Sequence, residues 1–470
     1  MPKLMAAWIG GVFLLVGAAV GSGQVFQVVH NFSNPETMFA FGKMVSDGNM
    51  IYGVGGGYIG GLPHYGSVFR VKTDGTSFGL LKQFPQTYAG IGGVNTNTDG
   101  STPLGGLVLG GDTLYGTTYQ GGKFGLGTVF SIKTDGNGFG ILKHFSGSDG
   151  KNPYTELILD GNVLYGATAS GGISNKGAIF RINADGSNFA LLKSFTGSEG
   201  TLLLSGLTLS GGTLFGTTYL GGNFGFGTVY SITTNGTDFT VLKEFSGADG
   251  AYPRFNLIVS AGVIYGTTDG SGDGTKSVVY KLNTNGSAFQ VLKTFSVPDP
   301  MSGTNADGFL LRCGLAAAGH TLFGATEYGG NSGNGVVFAL DMGGTTYTVL
   351  KDFSARPDPG TNSDGALPLP SLILGSGSLY GTTDYGGSAG AGTLFSIIVA
   401  PRIEPAFSPN GFAINVTGYS NENIVIEASS DIGGLSWVPL QTNKIGANPV
   451  SFVDMNSRNF GRRFYRARIE

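Results

Sequence analysis

The sequence predicts an all-β fold: a seven-bladed β-propeller closed by an N-terminal strand that completes the last blade, followed by a small C-terminal β-sandwich-like module. Three observations predict it. An aromatic anchor recurs at Tyr52, Tyr115, Tyr165, Phe215, Tyr265, Phe323 and Tyr380, spaced 50 to 63 residues apart, the dimension of a four-stranded repeat. Each repeat divides into four strand-like runs, a to d, separated by turn residues. Lastly, the ends are complementary. The final repeat stops after Ile397 without a run d, and residues 26–32 carry the missing Phe-x-x-x-x-x-Phe pattern. Supplying that strand from the N-terminus closes the ring and removes an exposed sheet edge.

Taken in order, residues 1–23 read as a signal peptide: Lys3 precedes an apolar run from Leu4 to Val20, and Gly21 to Gly23 are small. The expected mature protein is secreted or held at the cell surface, with no transmembrane anchor once the signal is removed. Residues 24–401 form the propeller, blade seven being 366–399 plus strand 26–32. In blade two, run a is Leu104–Leu109, b Thr113–Thr118, c Thr128–Lys133 and d Phe139–Phe145. Tight turns such as Gly110–Asp112 join a to b and c to d. Residues 402–470 contain five further β-like runs, near Phe412–Val416, Ile424–Ala428, Trp437–Gln441, Val450–Val453 and Phe464–Ile469.

Composition agrees. Glycine numbers 85 of 470 residues without a collagen period, and charged residues make up 12%, about half the usual share. A net charge of −3 without a basic block gives no footing for nucleic acid. The lone cysteine, Cys313, excludes an internal disulfide and is expected in a buried strand. Run d carries lysine at one position, as Lys82, Lys143, Lys193, Lys243, Lys293 and Lys351, with His30 in the seventh place. Such lysines read as protection of an outer sheet edge.

The recurrent pattern Leu-Tyr-Gly-Thr-Thr-x-x-Gly-Gly, then Gly-Thr-Val-Phe-x-Ile, then Leu-Lys-x-Phe, resembles the GloVer tandem repeat of cyanobacterial and verrucomicrobial proteins, over about residues 26–400. The resemblance implies exported or surface proteins with interchangeable C-terminal anchor segments. It implies no catalytic activity and supplies no site residues. This chain departs from that pattern in lacking a C-terminal apolar helix followed by basic residues.

All length variation lies in the d-to-a and b-to-c loops, which share one face, and this marks the expected binding face. Long d-to-a loops enter blades two, six and seven, ending in Thr-Asn-x-Asp-Gly with Asn97 and Asp99, Asn305 and Asp307, Asn362 and Asp364. Blade one adds an irregular b-to-c loop with Tyr58, His64 and Tyr65. Tyr119, Glu327, Tyr328, Asp384 and Tyr385 come from neighbouring b-to-c loops. Aromatic rings beside amides and carboxylates suit a polyhydroxylated ligand. The competing reading makes each Asp-Gly a plain turn. Asp269, Ser271 and Asp273 alternate like the start of a calcium loop, but Tyr280 stands where the closing carboxylate belongs.

The expected function is therefore an exported, non-catalytic binder of a polysaccharide or surface protein, monomeric, with no cofactor beyond calcium. A polysaccharide hydrolase or lyase using loop-face carboxylates, and a structural surface scaffold, are the alternatives. The sequence has no His-Glu-x-x-His helix, and its four histidines are scattered. Both tryptophans, Trp8 and Trp437, lie outside the expected mature propeller, which weakens the sugar reading, although tyrosine can also form a sugar platform, and gives ground to a protein partner.

Overall fold

The repeat pattern resolves, in a computed structural model, into seven four-stranded antiparallel sheets. The structure describes residues 5–9, 12–16, 26–33, 42–59, 62–89, 95–270, 276–357, 360–375, 377–399, 402–408, 411–417, 423–430, 437–444, 450–459 and 463–469. Blade two shows the local logic. Strands Leu107–Gly110, Thr113–Thr118, Thr128–Lys133 and Gly140–His144 pair in sequence order. Gly116 pairs with Phe130 across strands b and c, and a Cβ there would lie 2.6 Å from the Phe130 ring. The glycine after the anchor is thus the floor on which the strand c aromatic lies.

Every blade carries one bulge between strands c and d, as at Val129/Phe130 and Val279/Tyr280. The bulge lets the terminal phenylalanine of strand d meet the next blade's strand c aromatic. Phe84–Phe130, Phe145–Phe180, Phe195–Tyr230, Phe245–Tyr280, Phe295–Phe338 and Phe353–Phe395 have ring centroids 5.1 to 5.5 Å apart. Phe32 makes the seventh contact, 5.6 Å from Phe69. Strand Phe26–Asn31 pairs with Thr393–Ile398, Phe26 opposite Ile397, with the same bulge. The ring is closed as the sequence predicts, and the core is a circle of blade-to-blade clusters.

The run d lysines are not free edge residues. Each bonds the Asp or Glu of the loop that follows: Lys82 to Asp99 (2.5 Å), Lys143 to Asp149, Lys193 to Glu199 (2.8 Å), Lys243 to Asp249 (2.5 Å), Lys293 to Asp307 (2.5 Å) and Lys351 to Asp364 (2.6 Å). Each ammonium also lies over the first strand d aromatic of the next blade, 4.2 to 4.8 Å from Phe139, Phe189, Phe239, Phe289, Tyr347 and Phe26. His30 takes the seventh place by stacking on Phe78, 4.5 Å away and nearly parallel. The lysines clip blade to blade.

Two other expectations change. In blade one, the supposed irregular loop is a long hairpin: Met50–Ile59 and Leu62–Lys72 stay paired out to Tyr58↔Pro63 and Ile59↔Leu62. Cys313 is buried, but in the irregular lead-in to strand Ala316–Ala318, and burial pushes its thiol up to about 12.

Beyond the ring, six strands form two three-stranded sheets, in the orders Arg402–Ser408, Gly411–Thr417, Val450–Asp454 and Val438–Lys444, Asn423–Ser429, Phe464–Ile469. Ile414, Ile426 and Phe452 form their shared core. The sequence reading missed Arg402–Ser408 because Pro405 demotes it as a strand. Met5–Ile9 and Val12–Val16 pair as a short hairpin. Among the described residues no helix is long and apolar enough to cross a membrane.

Candidate functional site

The lead-in to strand a has one shape in blades two to seven. Two residues past the loop glycine, Thr102, Asn152, Leu202, Tyr252, Leu310 and Leu367 all take φ between 56° and 63°, a left-handed conformation that is costly for side chains of this size. Two residues further on, Leu104, Tyr154, Leu204, Arg254, Arg312 and Leu369 all line one axial cavity of about 270 Å³. Lys43 of blade one, Glu156, Asn256, Glu327 and Asp384 complete its polar lining. All seven blades contribute to this well.

A second register position holds the b-to-c residue after each Thr-Thr or its equivalent. It reads Tyr119, Ala169, Tyr219, Asp269, Glu327 and Asp384 in blades two to seven. Carboxylates thus occupy three adjacent blades, and arginines from the lead-ins stand among them. Arg312 bonds Glu327 through Nη1 at 2.8 Å and lies 3.4 Å from Asp269 through Nε. Arg254 donates from Nη2 to the Tyr154 hydroxyl at 2.8 Å. The Arg356 guanidinium lies 5.1 Å over the Tyr385 ring.

Burial dominates the electrostatics. It pushes Asp384 up to about 7, with the Glu327 charge adding and Arg356 opposing. Burial likewise raises Asp269 to about 6 against the pull of Arg312 and Arg254. Glu156 is raised by burial too, opposed by Lys43, whose Nζ is 3.9 Å from Oε1. The result is a well in which basic groups stand among carboxyls, two of which, Glu156 and Asp384, burial holds above their usual range.

The sequence-predicted residues divide into three groups. Glu327 and Asp384 line the well; Tyr119 stands behind it, edge-on to Tyr154 at 5.9 Å, and Tyr328 and Tyr385 follow the two carboxylates at the rim. The Thr-Asn-x-Asp-Gly motifs instead build their own loops. Asp99, Asp307 and Asp364 are the lysine clips. Asn97 Oδ1 accepts from the Gly100 and Gly122 amides at 2.7 and 2.8 Å. Asn305 and Asn362 repeat this arrangement. In the tight loop entering blade three, the Gly147 carbonyl receives the equivalent Gly150 and Gly172 amides. The asparagine therefore stands in for a peptide group where a longer loop has displaced it. Tyr65 packs into the core between blades one and two. The side chains of Tyr58 and His64 lie outside the described residues, as do Ser271 and Asp273.

Asp269 faces the Arg312 guanidinium, a setting that disfavours a cation. Among the described residues no group of three or more His, Cys, Asp or Glu side chains is placed to hold a metal.

Sequence reasoning missed Lys43, Tyr154, Glu156, Arg254, Asn256 and Arg312. A signal was present: aligning the repeats shows leucine at the lead-in position of blades two, four and seven, replaced by Tyr154, Arg254 and Arg312 in the others.

A profile described as the Gloeobacter/Verrucomicrobia repeat matches residues 86–276 and 227–410. No curated protein matches the sequence. Among solved structures, the chain is similar to an oligogalacturonate lyase from Vibrio parahaemolyticus, at 10% identity and TM-score 0.44, over 80% of this chain and 97% of that one. It is also similar to YCF48 from Cyanidioschyzon merolae, at 14% identity and TM-score 0.46, over 79% and 98%. These are likenesses of fold.

Proposed function

This chain belongs to the Gloeobacter/Verrucomicrobia repeat family, and from that premise we propose that it is an exported, non-catalytic binding protein that takes a polysaccharide through its loop face. One observation carries the reading. Variation between otherwise repetitive blades concentrates on the axial well, where Tyr154, Glu156, Arg254, Asn256, Arg312, Glu327 and Asp384 converge. Tyrosine rings, an amide, guanidinium groups and carboxylates together supply the donors, acceptors and flat apolar faces that sugars need. The apolar run of residues 1–23 serves as the export signal in this reading.

A surface-protein partner is the second reading, supported by a different observation. Phe124, Ile173 and Phe224 stand 44%, 87% and 59% exposed on the b-to-c loops of blades two to four. Exposed apolar groups on one face favour protein docking.

Affinity electrophoresis of the mature protein through gels holding different polysaccharides separates the two. Retardation by one glycan, weakened by the joint substitution Tyr328→Ala and Tyr385→Ala, is the expected result. No retardation across neutral and acidic polysaccharides would turn the assignment to a protein partner, and release of shorter sugars would turn it to a hydrolase or lyase.

A further inference from the structure

We propose that the axial well receives the terminal residue of a glycan, end-on; this rests on the polysaccharide reading and specifies how it is achieved. Three features lead to it.

The first is shape. The lining comes from every blade, from Lys43 in blade one to Leu369 and Asp384 in blade seven. A well walled on all sides cannot be crossed by a polymer lying through it. Only a chain end, or a free small molecule, enters from the loop face. Its volume of about 270 Å³ suits one sugar ring, below the usual range of about 300–1,000 Å³ for larger ligands.

The second is unmet hydrogen bonding. Glu156 is 8% exposed, and no protein group hydrogen-bonds its Oε1. Arg254 Nε is likewise buried without a protein partner, while its Nη2 is held by Tyr154. Leaving such groups unpaired is costly. Both side chains line the cavity, with Lys43 Nζ 3.9 Å from that carboxylate oxygen, so a ligand that reaches them meets a carboxylate and a guanidinium whose hydrogen bonding the protein leaves incomplete. Asn256 is already half committed, its Oδ1 accepting from the Gly206 amide at 2.8 Å.

The third is charge. Lys43, Arg254 and Arg312 stand against Glu156, Glu327 and Asp384 in the lining. Bases and acids stand there in equal number, so the lining presents both donors and acceptors. A ring with several hydroxyls, each both donor and acceptor, matches Glu156 and Arg254 at once. Leu104, Leu204 and Leu369 give its C–H faces something to pack on.

The test uses saturation-transfer NMR and calorimetry on the mature full-length chain, with glucose, galactose, mannose, fucose, N-acetylglucosamine and glucuronic acid and their short oligosaccharides. At least one monosaccharide should bind, and its oligosaccharides should bind within about threefold of it, since one residue makes the contacts. Glu156→Gln and Arg254→Met should each weaken binding about tenfold or more, with thermal unfolding showing both variants folded. Binding that appears only with longer oligosaccharides, or that both substitutions leave unchanged, overturns end-on capture. If a polysaccharide retards the protein in the gel and no monosaccharide competes, the end-on mode fails alone. If neither polymer nor monosaccharide binds, the polysaccharide reading fails with it.

Discussion

Lys243 lies with its ammonium against Asp249 and 4.5 Å from the centre of the Phe289 ring. Its side chain is 19% exposed and that of Asp249 28%, so water screens the pair only in part. Lys243→Met should cost about 1–3 kcal/mol, and pairing it with Asp249→Asn should add little more, because both changes break one contact. Urea unfolding of the two single variants and the double variant checks this. Two carboxyls set opposite pH slopes. For Glu199, burial alone would raise the pKa, but hydrogen bonds from Lys193 and Thr196 outweigh it and hold the group at about 2 instead of 4.5. Its contribution is fully present above pH 4.5 and is lost as pH falls toward 2. Asp384 runs the other way, raised by burial from 3.8 to about 7. Folding binds its proton, so stability from this group falls as pH rises across that window. Asp384→Asn should therefore gain stability relative to the parent from pH 4 upward and level off above about pH 7. Denaturant titrations of both proteins at several pH values read this directly, and an unchanging difference would contradict the burial of Asp384.

At the scale of the element, the d-to-a loop shows why some features were legible and others were not. The Asp-Gly or Glu-Gly step recurs because the glycine has no room for a side chain. At Gly200, φ is +120° and a Cβ would lie 2.0 Å from Thr218 Oγ1. Gly200→Ala should destabilise by about 2 kcal/mol or more, through backbone strain and a clash with the buried Thr218 side chain. Thermal unfolding measures it, with Gly211→Ala, at an open turn position, as the comparison. Local rules of this kind made the strands, hairpin turns and blade boundaries readable. The Thr-Asn-x-Asp-Gly loops admitted two readings in the sequence, ligand contact or plain turn, because length and polarity fit both. Asn97 and Asp99 satisfy the amides and the lysine of their own blade junction, as the turn reading has it. The axial site was hidden for the opposite reason. Tyr154 and Arg254 are 100 residues apart and meet only across the ring, so neither looks unusual within its own repeat. Only comparison of equivalent positions around a closed circle exposes them.

For the whole molecule, closure is the one contact that couples residue 26 to residue 397. Each blade junction repeats the same Phe-on-aromatic contact and, in six of seven cases, the same lysine clip. The seventh, between blades seven and one, uses His30 on Phe78. It also sits beside the only blade whose four strands are not contiguous in sequence, strand Phe26–Asn31 joining from the far end of the chain. Loss of that strand leaves a bare edge on Thr393–Ile398 and opens the ring without unfolding any other blade first. The seam is thus the expected starting point of unfolding. Gln27 and Ser396 face each other across it as paired residues, and Gln27→Cys with Ser396→Cys would join them by a disulfide closing most of the chain into one loop. In the chain-entropy view such a loop stabilises by at most about 6 kcal/mol, and a crosslink at the seam should slow unfolding as well. The oxidised double variant should unfold at higher temperature and more slowly in denaturant than the same protein reduced. A matched disulfide between adjacent strands inside blade four, which closes only a short loop, should do far less. Equal effects from the two crosslinks would mean that the ring opens elsewhere than at its seam.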